Sequence, residues 1–260
     1  MKVKDIIKAI EEFAPACIQE SWDNTGLQVG SPEQEVHGVL LALDCTPELI
    51  AEAGRRGCDM VITHHPLLYE PLRQICPEDV TGRTVIDAIR SGCAVYASHT
   101  SADKTPGGVS WAMAQKLGLK NVRVLDEDAP GTGLGVVGDL PEALPAQDAL
   151  ALVKSAFGIP VLRHSAPVKA PVSRIALCGG SGSSLVDKAL KAGAQLYVCG
   201  DISYHHFFAP EGITIADAGH FETEVGIVDI FYGVLTKYFP NFAVLISEDI
   251  KTACPVRYKL

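Results

Sequence analysis

The sequence predicts an α/β protein of two lobes, each built from a related αβ half, and three observations carry that reading. Strand-like apolar runs alternate with helical patterns along most of the chain, the order expected of βαβ units. The stretch Leu41 to Thr63 slides onto Leu177 to Cys199 without a gap, so that Leu49 meets Leu185, Ala53 meets Ala189, Gly57 meets Gly193 and Met60 meets Leu196. Both copies read strand, turn, helix, glycine, strand. Duplication of one half and the general likeness of βαβ units both stay open as the source of the match. Finally, His64, His65, His99, His205, His206 and His220 all follow strand candidates, and open α/β sheets place ligands at the carboxyl ends of their strands.

Taken in order, Val3, Ile6, Ile7, Ile10, Phe13 and Ala14 recur at helical spacing until Pro15 stops the pattern. The turn-rich stretch Trp22 to Gly30 comes next, and then Val39 to Leu43, inside Gly38 to Asp44, reads as a buried strand. A helix is expected from about Pro47 to Arg56, closed by Gly57, and the strand Met60 to Thr63 delivers His64 and His65. Val95-Tyr96-Ala97 is a further strand, leading to His99. Thr105 before Pro106 fits an N-cap with proline at the first helical position. Val109, Ala112, Met113 and Leu117 then make one apolar stripe, so Asp103 is expected just before a helix. Asp126 to Pro171 holds six of the sixteen prolines and a short strand candidate at Leu134 to Val137, and reads as the crossing between lobes. Ile213 to Ala216 is a strand leading to His220, and Val225, Val228, Tyr232 and Leu235 give a helical face that runs to Pro240. That places Glu224 in a first helical turn, where compensation of the helix dipole is the plain alternative to a ligand role. Residues 1–125 plus 240–260 are expected to form the first lobe, with the His-His pair, and 126–239 the second, with His-x-x-x-Glu and no inserted domain.

Composition narrows the class. The 260 residues are 47% hydrophobic and 20% charged, enough for one large core or two smaller ones. The net charge of −9 comes from 22 basic against 31 acidic residues. No basic run could neutralise a row of phosphates, so nucleic acid is not an expected partner. Lys2 and Lys4 are followed by acids and by no uninterrupted apolar core, unlike a secretion signal, and nothing later reaches membrane-spanning length. The expected location is the cytoplasm, with no membrane partner. Eight scattered cysteines without a Cys-x-x-Cys pair read as small buried hydrophobes; Cys178 and Cys199, at or near strand ends, are the two that could line a pocket.

The chemistry lies in three clusters: Thr63-His64-His65-Pro66, His99-x-x-x-Asp103 and His220-x-x-x-Glu224. Adjacent side chains on extended chain point to opposite sides, so His64 and His65 are better suited to two neighbouring ions than to one. Residues four apart on a helical turn share a face. Imidazole with carboxylate suits zinc, iron, manganese or nickel, whereas all-oxygen sets suit magnesium or calcium. The inventory is that of a site for two divalent metal ions.

These residues, with six ordered motifs, make the chain resemble the Nif-three-like dinuclear metal proteins, whose members often carry the label GTP cyclohydrolase type 2 homologue. The motifs are Trp22 to Gly30, Thr63 to Pro66, His99 to Asp103 with Pro106 to Val109, Cys178 to Gly182, Gly200-Asp201 with Tyr204-His205, and Asp217 to Glu224. The resemblance implies a two-lobed α/β fold with intertwined halves and mixed sheets, assembled into a ring-like homohexamer. It places the metal ligands on His64, His65, Asp103, His220 and Glu224, and puts His205 beside His99 as a group of the surrounding pocket. Where relatives often read Asn-Leu-Asp before the ligand aspartate, this chain has Ser101-Ala102-Asp103, which keeps the ligand.

Two functions compete at this level. One is a hydrolase whose metal-activated water attacks a small-molecule substrate, a purine nucleotide such as GTP on the strength of the family label. Glu224 would bridge, Asp103 would be terminal, and one of His99, His205 or His206 would carry protons. The other is a non-catalytic metal-binding assembly: a metallochaperone, store or regulatory partner. Gly179 to Ser184 could cradle a phosphate before a helix, or be a tight strand-to-helix turn with a serine cap; it lacks the Gly-Lys-Ser/Thr ending of a P-loop.

Overall fold

The first helix, α1 (Val3–Phe13), buries Val3, Ile6, Ala9 and Ile10 on one stripe, and Asp5 reaches back to the Lys2 N–H at 2.9 Å to satisfy one of the open donors at its start. Pro15 ends it as expected. The computed structural model describes residues 1–248, 254–257 and 259. Strands β1 (Gly26–Val29) and β2 (Gly38–Ala42) follow. Then comes α2 (Pro47–Arg55), whose N-cap Thr46 accepts from the Leu49 N–H with Pro47 in the first turn. After β3 (Met60–Thr63), helix α3 (Val80–Ser91) starts at the Asp79 cap, a helix the sequence reading did not include. β4 (Ala94–Ala97) runs directly into α4 (Thr100–Lys104), and α5 (Val109–Lys116) follows.

Two local expectations are corrected here. Thr105 does not cap α5; Thr105 to Gly108 is a turn closed by the Gly108 N–H on the Thr105 carbonyl at 3.0 Å, with Gly107 at φ 81°. Proline followed by a positive-φ glycine is the signature of a type II turn, and this one delays the helix by a turn. Asp103 accordingly lies inside the short α4, not ahead of a long helix.

The stretch expected to be a crossing is part of the second sheet. β5 (Lys120–Ala129) and β6 (Thr132–Leu144) form an antiparallel hairpin, and α6 (Ala146–Ala156) packs on it. β7 (Arg163–His164), β8 (Val172–Ser181), α7 (Val186–Lys191), β9 (Leu196–Gly200) and β10 (Thr214–Asp217) lead to α8 (His220–Glu224), then α9 (Ile227–Tyr238) and β11 (Ala243–Ile246).

Two mixed sheets result, as expected for this α/β class: β1-β4-β3-β2-β11 and β5-β6-β8-β9-β10-β7. In the first, β4, β3, β2 and β11 are parallel and β1 pairs antiparallel at the edge. Strands β2, β3 and β4 are buried throughout, the continuous apolar pattern of a parallel sheet covered on both faces. In the second, parallel β8, β9 and β10 carry antiparallel partners on either side. Its faces alternate. Ile175, Leu177, Leu196 and Val198 pack with Met113 of α5 and Val153 of α6 on one side, and Ala176, Cys178, Tyr197 and Cys199 with Ala189 of α7 on the other.

The chain divides into two units, Met1–Ala102 with Ile227–Arg257, and Asp103–Gly226. The expected boundaries at 125/126 and 239/240 thus differ from the observed ones. Hydrogen bonding decides the first, because β5 pairs with β6 in the second sheet; packing decides the second, because α9 lies on α1, β2 and β11. The expected return of Ala243 to Leu260 to the first lobe is met by β11, parallel to β2; residues 249–253, 258 and 260 lie outside the described residues. No helix among the described residues is long and apolar enough to cross a membrane.

Candidate metal centre

In the first unit the ladder itself brings the imidazoles together. β2 and β3 are parallel with Ala42 beside Thr63, so the residues just past their ends, Asp44 and His65, are neighbours as well. Nδ1 of His65 donates to Oδ1 of Asp44 at 2.7 Å. β3 and β4 pair Thr63 with Ala97, and Nδ1 of the fully buried His64 donates to the Ser98 carbonyl at 2.9 Å. β1 runs antiparallel with Gly26 beside Ala97, which sets the residues before β1 against those after β4. Asp23 therefore meets His99, accepting from its Nδ1 at 2.7 Å and from the Thr100 N–H at 2.9 Å.

His64, His65 and His99 each offer a ring nitrogen within 4.8 Å of the others. The expectation that His64 and His65 face opposite ways rested on extended chain, but β3 stops at Thr63 and the backbone bends. The two rings lie 5.1 Å apart at 45°. Burial would push the Asp23 carboxyl up, yet the His99 and Thr100 bonds win and hold it well below the usual carboxylate range.

In the second unit, His220 opens α8 and Glu224 closes it, one helical turn apart, with His220 Nε2 at 2.9 Å from Glu224 Oε2. Glu224 does not open a long helix, so compensation of the α9 dipole does not account for it. It is 3% exposed at the carboxyl end of a short helix, where the dipole disfavours an anion. Nδ1 of His220 donates to Oδ2 of Asp201 at 2.7 Å, and Asp201 itself holds a left-handed φ of 53°. The Cys178 thiol is pushed well up, by burial first and then by the negative charge of groups that include Asp103 and Glu224.

The glycine run at the end of β8 serves this arrangement. The Gly179 and Gly180 N–H groups donate to Ser110 and Thr223 hydroxyls at 3.2 and 3.0 Å, so they are spent inside the unit and not aimed at an anion. Gly179 to Ser181 close β8, and the short helical turn that follows starts at Gly182 without a serine side-chain cap.

A family model, Duf34/NIF3 (NGG1p interacting factor 3), matches residues 1–252. The chain belongs to this family. A Clostridium perfringens protein of the name GTP cyclohydrolase 1 type 2 homolog is 35% identical over 256 residues, covering 96% of this chain and 98% of its own. A Lactococcus lactis protein of the same name is 37% identical over 228 residues, covering 85% and 86%. Among solved structures, Staphylococcus aureus protein SA1388 superposes with a TM-score of 0.91 at 27% identity, covering 100% of this chain and 99% of its own.

Within the Duf34/NIF3 frame, the groups that sequence reasoning missed are the partners of the imidazoles: Asp44, Asp23 and Asp201. Each lies just outside a strand that neighbours a histidine-bearing strand, so strand pairing is the signal that finds them. His205 sits on an exposed turn at Tyr204–Phe207, its ring 5.3 Å from that of Tyr204 and 6.5 Å from that of Phe208. His206 is bonded to Ser203 on the same turn at 2.7 Å. Neither belongs to a metal-capable group among the described residues.

Proposed function

We propose that the chain is a metal-dependent hydrolase that binds two divalent ions through His64, His65, Asp103, His220 and Glu224. One observation carries the reading. At His64, His65, His99 and His220 alike, Nδ1 is committed to an oxygen acceptor. A proton held on Nδ1 leaves Nε2 as the ligating nitrogen, the arrangement in which histidines hold metals, and at His220 Nε2 already stands 2.9 Å from Glu224 Oε2. Three of the four acceptors are carboxylates, the partners that orient the imidazole rings of metal-binding histidines.

The donor set of imidazole and carboxylate fits zinc, iron, manganese or nickel. A divalent ion held there supplies Lewis acidity, which lowers the pKa of water from its bulk value towards about 7. The chain's part is to orient: Asp44, Asp201 and the Ser98 carbonyl hold the rings, and the bare Gly179-Gly180 end of β8 leaves room for Glu224. The name carried by the relatives points to a purine nucleotide such as GTP as substrate. The reading includes a cytoplasmic homo-oligomer, a hexamer by the family resemblance, which light scattering on the purified protein checks.

The decisive experiment is metal content per chain by elemental analysis, followed by turnover assays on the loaded protein. Two ions per chain and metal-dependent turnover are expected. Fewer than two ions ends the dinuclear reading. Full loading with no turnover across nucleotides, phosphoesters and small amides ends the hydrolase and leaves a metal carrier or store.

A further inference from the structure

In the first unit, polar bonds brace the chain segments that carry two exposed aromatic rings. Trp22 is 56% exposed and Tyr69 is 51% exposed, although each is large enough to favour burial. Their centroids lie 6.1 Å apart with planes at 68°, and both stand beside His99, at 6.1 Å and 72° for Trp22 and at 6.3 Å and 78° for Tyr69. The three planes meet near right angles. They form an open corner whose third wall belongs to the imidazole cluster.

The corner is braced on both sides. Asp23, next to Trp22, is gripped by His99 and Thr100. Asn24 donates to the Leu68 carbonyl at 2.7 Å, and Gln28 accepts from the Leu68 N–H at 3.1 Å while donating to the Asn24 carbonyl at 2.7 Å. Leu68 precedes Tyr69, so these bonds tie the segment bearing Trp22 to the loop bearing Tyr69. None of them buries either ring. Segments fixed in advance at a surface lose little further freedom on binding, which is how a preformed site gains affinity.

We propose that Trp22 and Tyr69 form a stacking platform for a planar nitrogen heterocycle of purine size, presented to the imidazole cluster of His64, His65 and His99. A flat ring laid on one aromatic face meets the other two rings edge-on, an arrangement that favours π-rich plates over aliphatic or sugar-like ligands. The identity of the bound group as a substrate rests on the hydrolase reading above; the platform itself does not.

Calorimetric titration of the full-length protein with guanosine tests it, once with metal removed by chelator and once with zinc restored. Ribose 5-phosphate is the non-aromatic control. Guanosine is expected to bind in at least one metal state and ribose 5-phosphate in neither. Trp22→Ala and Tyr69→Ala, both exposed and so expected to fold, should each weaken guanosine about tenfold or more, and Trp22→Phe should retain most of the affinity. Metal content should be unchanged in all three, so loss of the heterocycle is distinguishable from loss of the metal site. Guanosine that fails to bind in either state, binds both alanine variants like the wild type, or binds no better than ribose 5-phosphate overturns the proposal. So does a Trp22 emission spectrum that shifts on dilution of the wild type, in step with dissociation seen by sedimentation, because a second copy of the chain would then cover the corner.

Discussion

A Cβ on Gly180 would lie 2.0 Å from Oε1 of Glu224, so the last residues of β8 are bare here because the carboxylate stands where a side chain would go. Gly180 also holds φ at +58°, a region that costs an L-residue about 1–2 kcal/mol. Gly180→Ala should therefore lose at least that stability and also displace Glu224, leaving less than the full metal complement. Gly158 is the control, at φ +65° with nothing within 4 Å of its Cβ position. Gly158→Ala should show the same backbone cost in denaturant unfolding but full metal content by elemental analysis.

Asp201 tests the orienting shell. Its side chain is 56% exposed, so it contributes little to the core, yet it fixes the His220 ring. Asparagine tolerates the left-handed backbone found there. Asp201→Asn should leave the metal-free melting temperature unchanged and weaken metal binding about 10- to 100-fold, the usual effect of losing a histidine's carboxylate partner. Competition against a chelator of known affinity reads the difference.

Metal removal should lower the melting temperature of the wild type. A ligand at about 1,000 times its dissociation constant stabilises the folded state by about 4 kcal/mol per site. His64→Ala should erase much of that metal-dependent increment, measured as the difference between loaded and chelated scans, whatever the substitution does to the chelated form. An undiminished increment would remove His64 from the ligand set.

Glu52 contributes to stability against acid. It is 2% exposed and accepts from the Ser247 hydroxyl at 2.6 Å and the Glu248 N–H at 2.9 Å, with Arg56 at 2.6 Å. Burial alone would raise its carboxyl, but these donors prevail and hold it below the ordinary value of 4.5. The folded value is the depressed one, so the contribution is complete above the unfolded value and fades as pH falls through the folded one. Glu52→Gln should cost about 1–3 kcal/mol at neutral pH, and the gap to wild type should narrow below about pH 4 in urea unfolding followed across pH.

Much of the fold was legible because it follows from local pattern. The strands at Val39, Met60 and Val95, the Thr46-Pro47 start of α2 and the α1 stripe are set by hydrophobic period and cap chemistry, which act over a few residues. β5 was missed because it is largely exposed and polar, whereas α3 was missed although it carries its own signals, the Asp79 cap and the buried Val85 and Ala88 on one face. The internal likeness also has a structural counterpart. Leu41 pairs with Ile62 in the first sheet and Leu177 with Val198 in the second, the positions that the gapless match superimposes.

The strand registers do not carry the likeness through to the histidines. Thr63 pairs with Ala97 and Cys199 with Asp217, so counting on from each strand end sets His220 against Thr100, not against His99. A one-residue step turns a helical position by about 100°. His220 starts α8 and shares a face with Glu224, whereas His99 precedes α4, bonds Asp23 and joins His64 and His65.

By itself the sequence determined the α/β class, the ligand types and their position after strands, because composition and spacing are properties of short segments. Only the tertiary structure decided which oxygen holds each imidazole, that Gly180 yields its side-chain space to Glu224, and that Trp22 and Tyr69 stand together. Those pairings join residues far apart in the chain through strand register, and register is fixed by long-range hydrogen bonding that no local window contains.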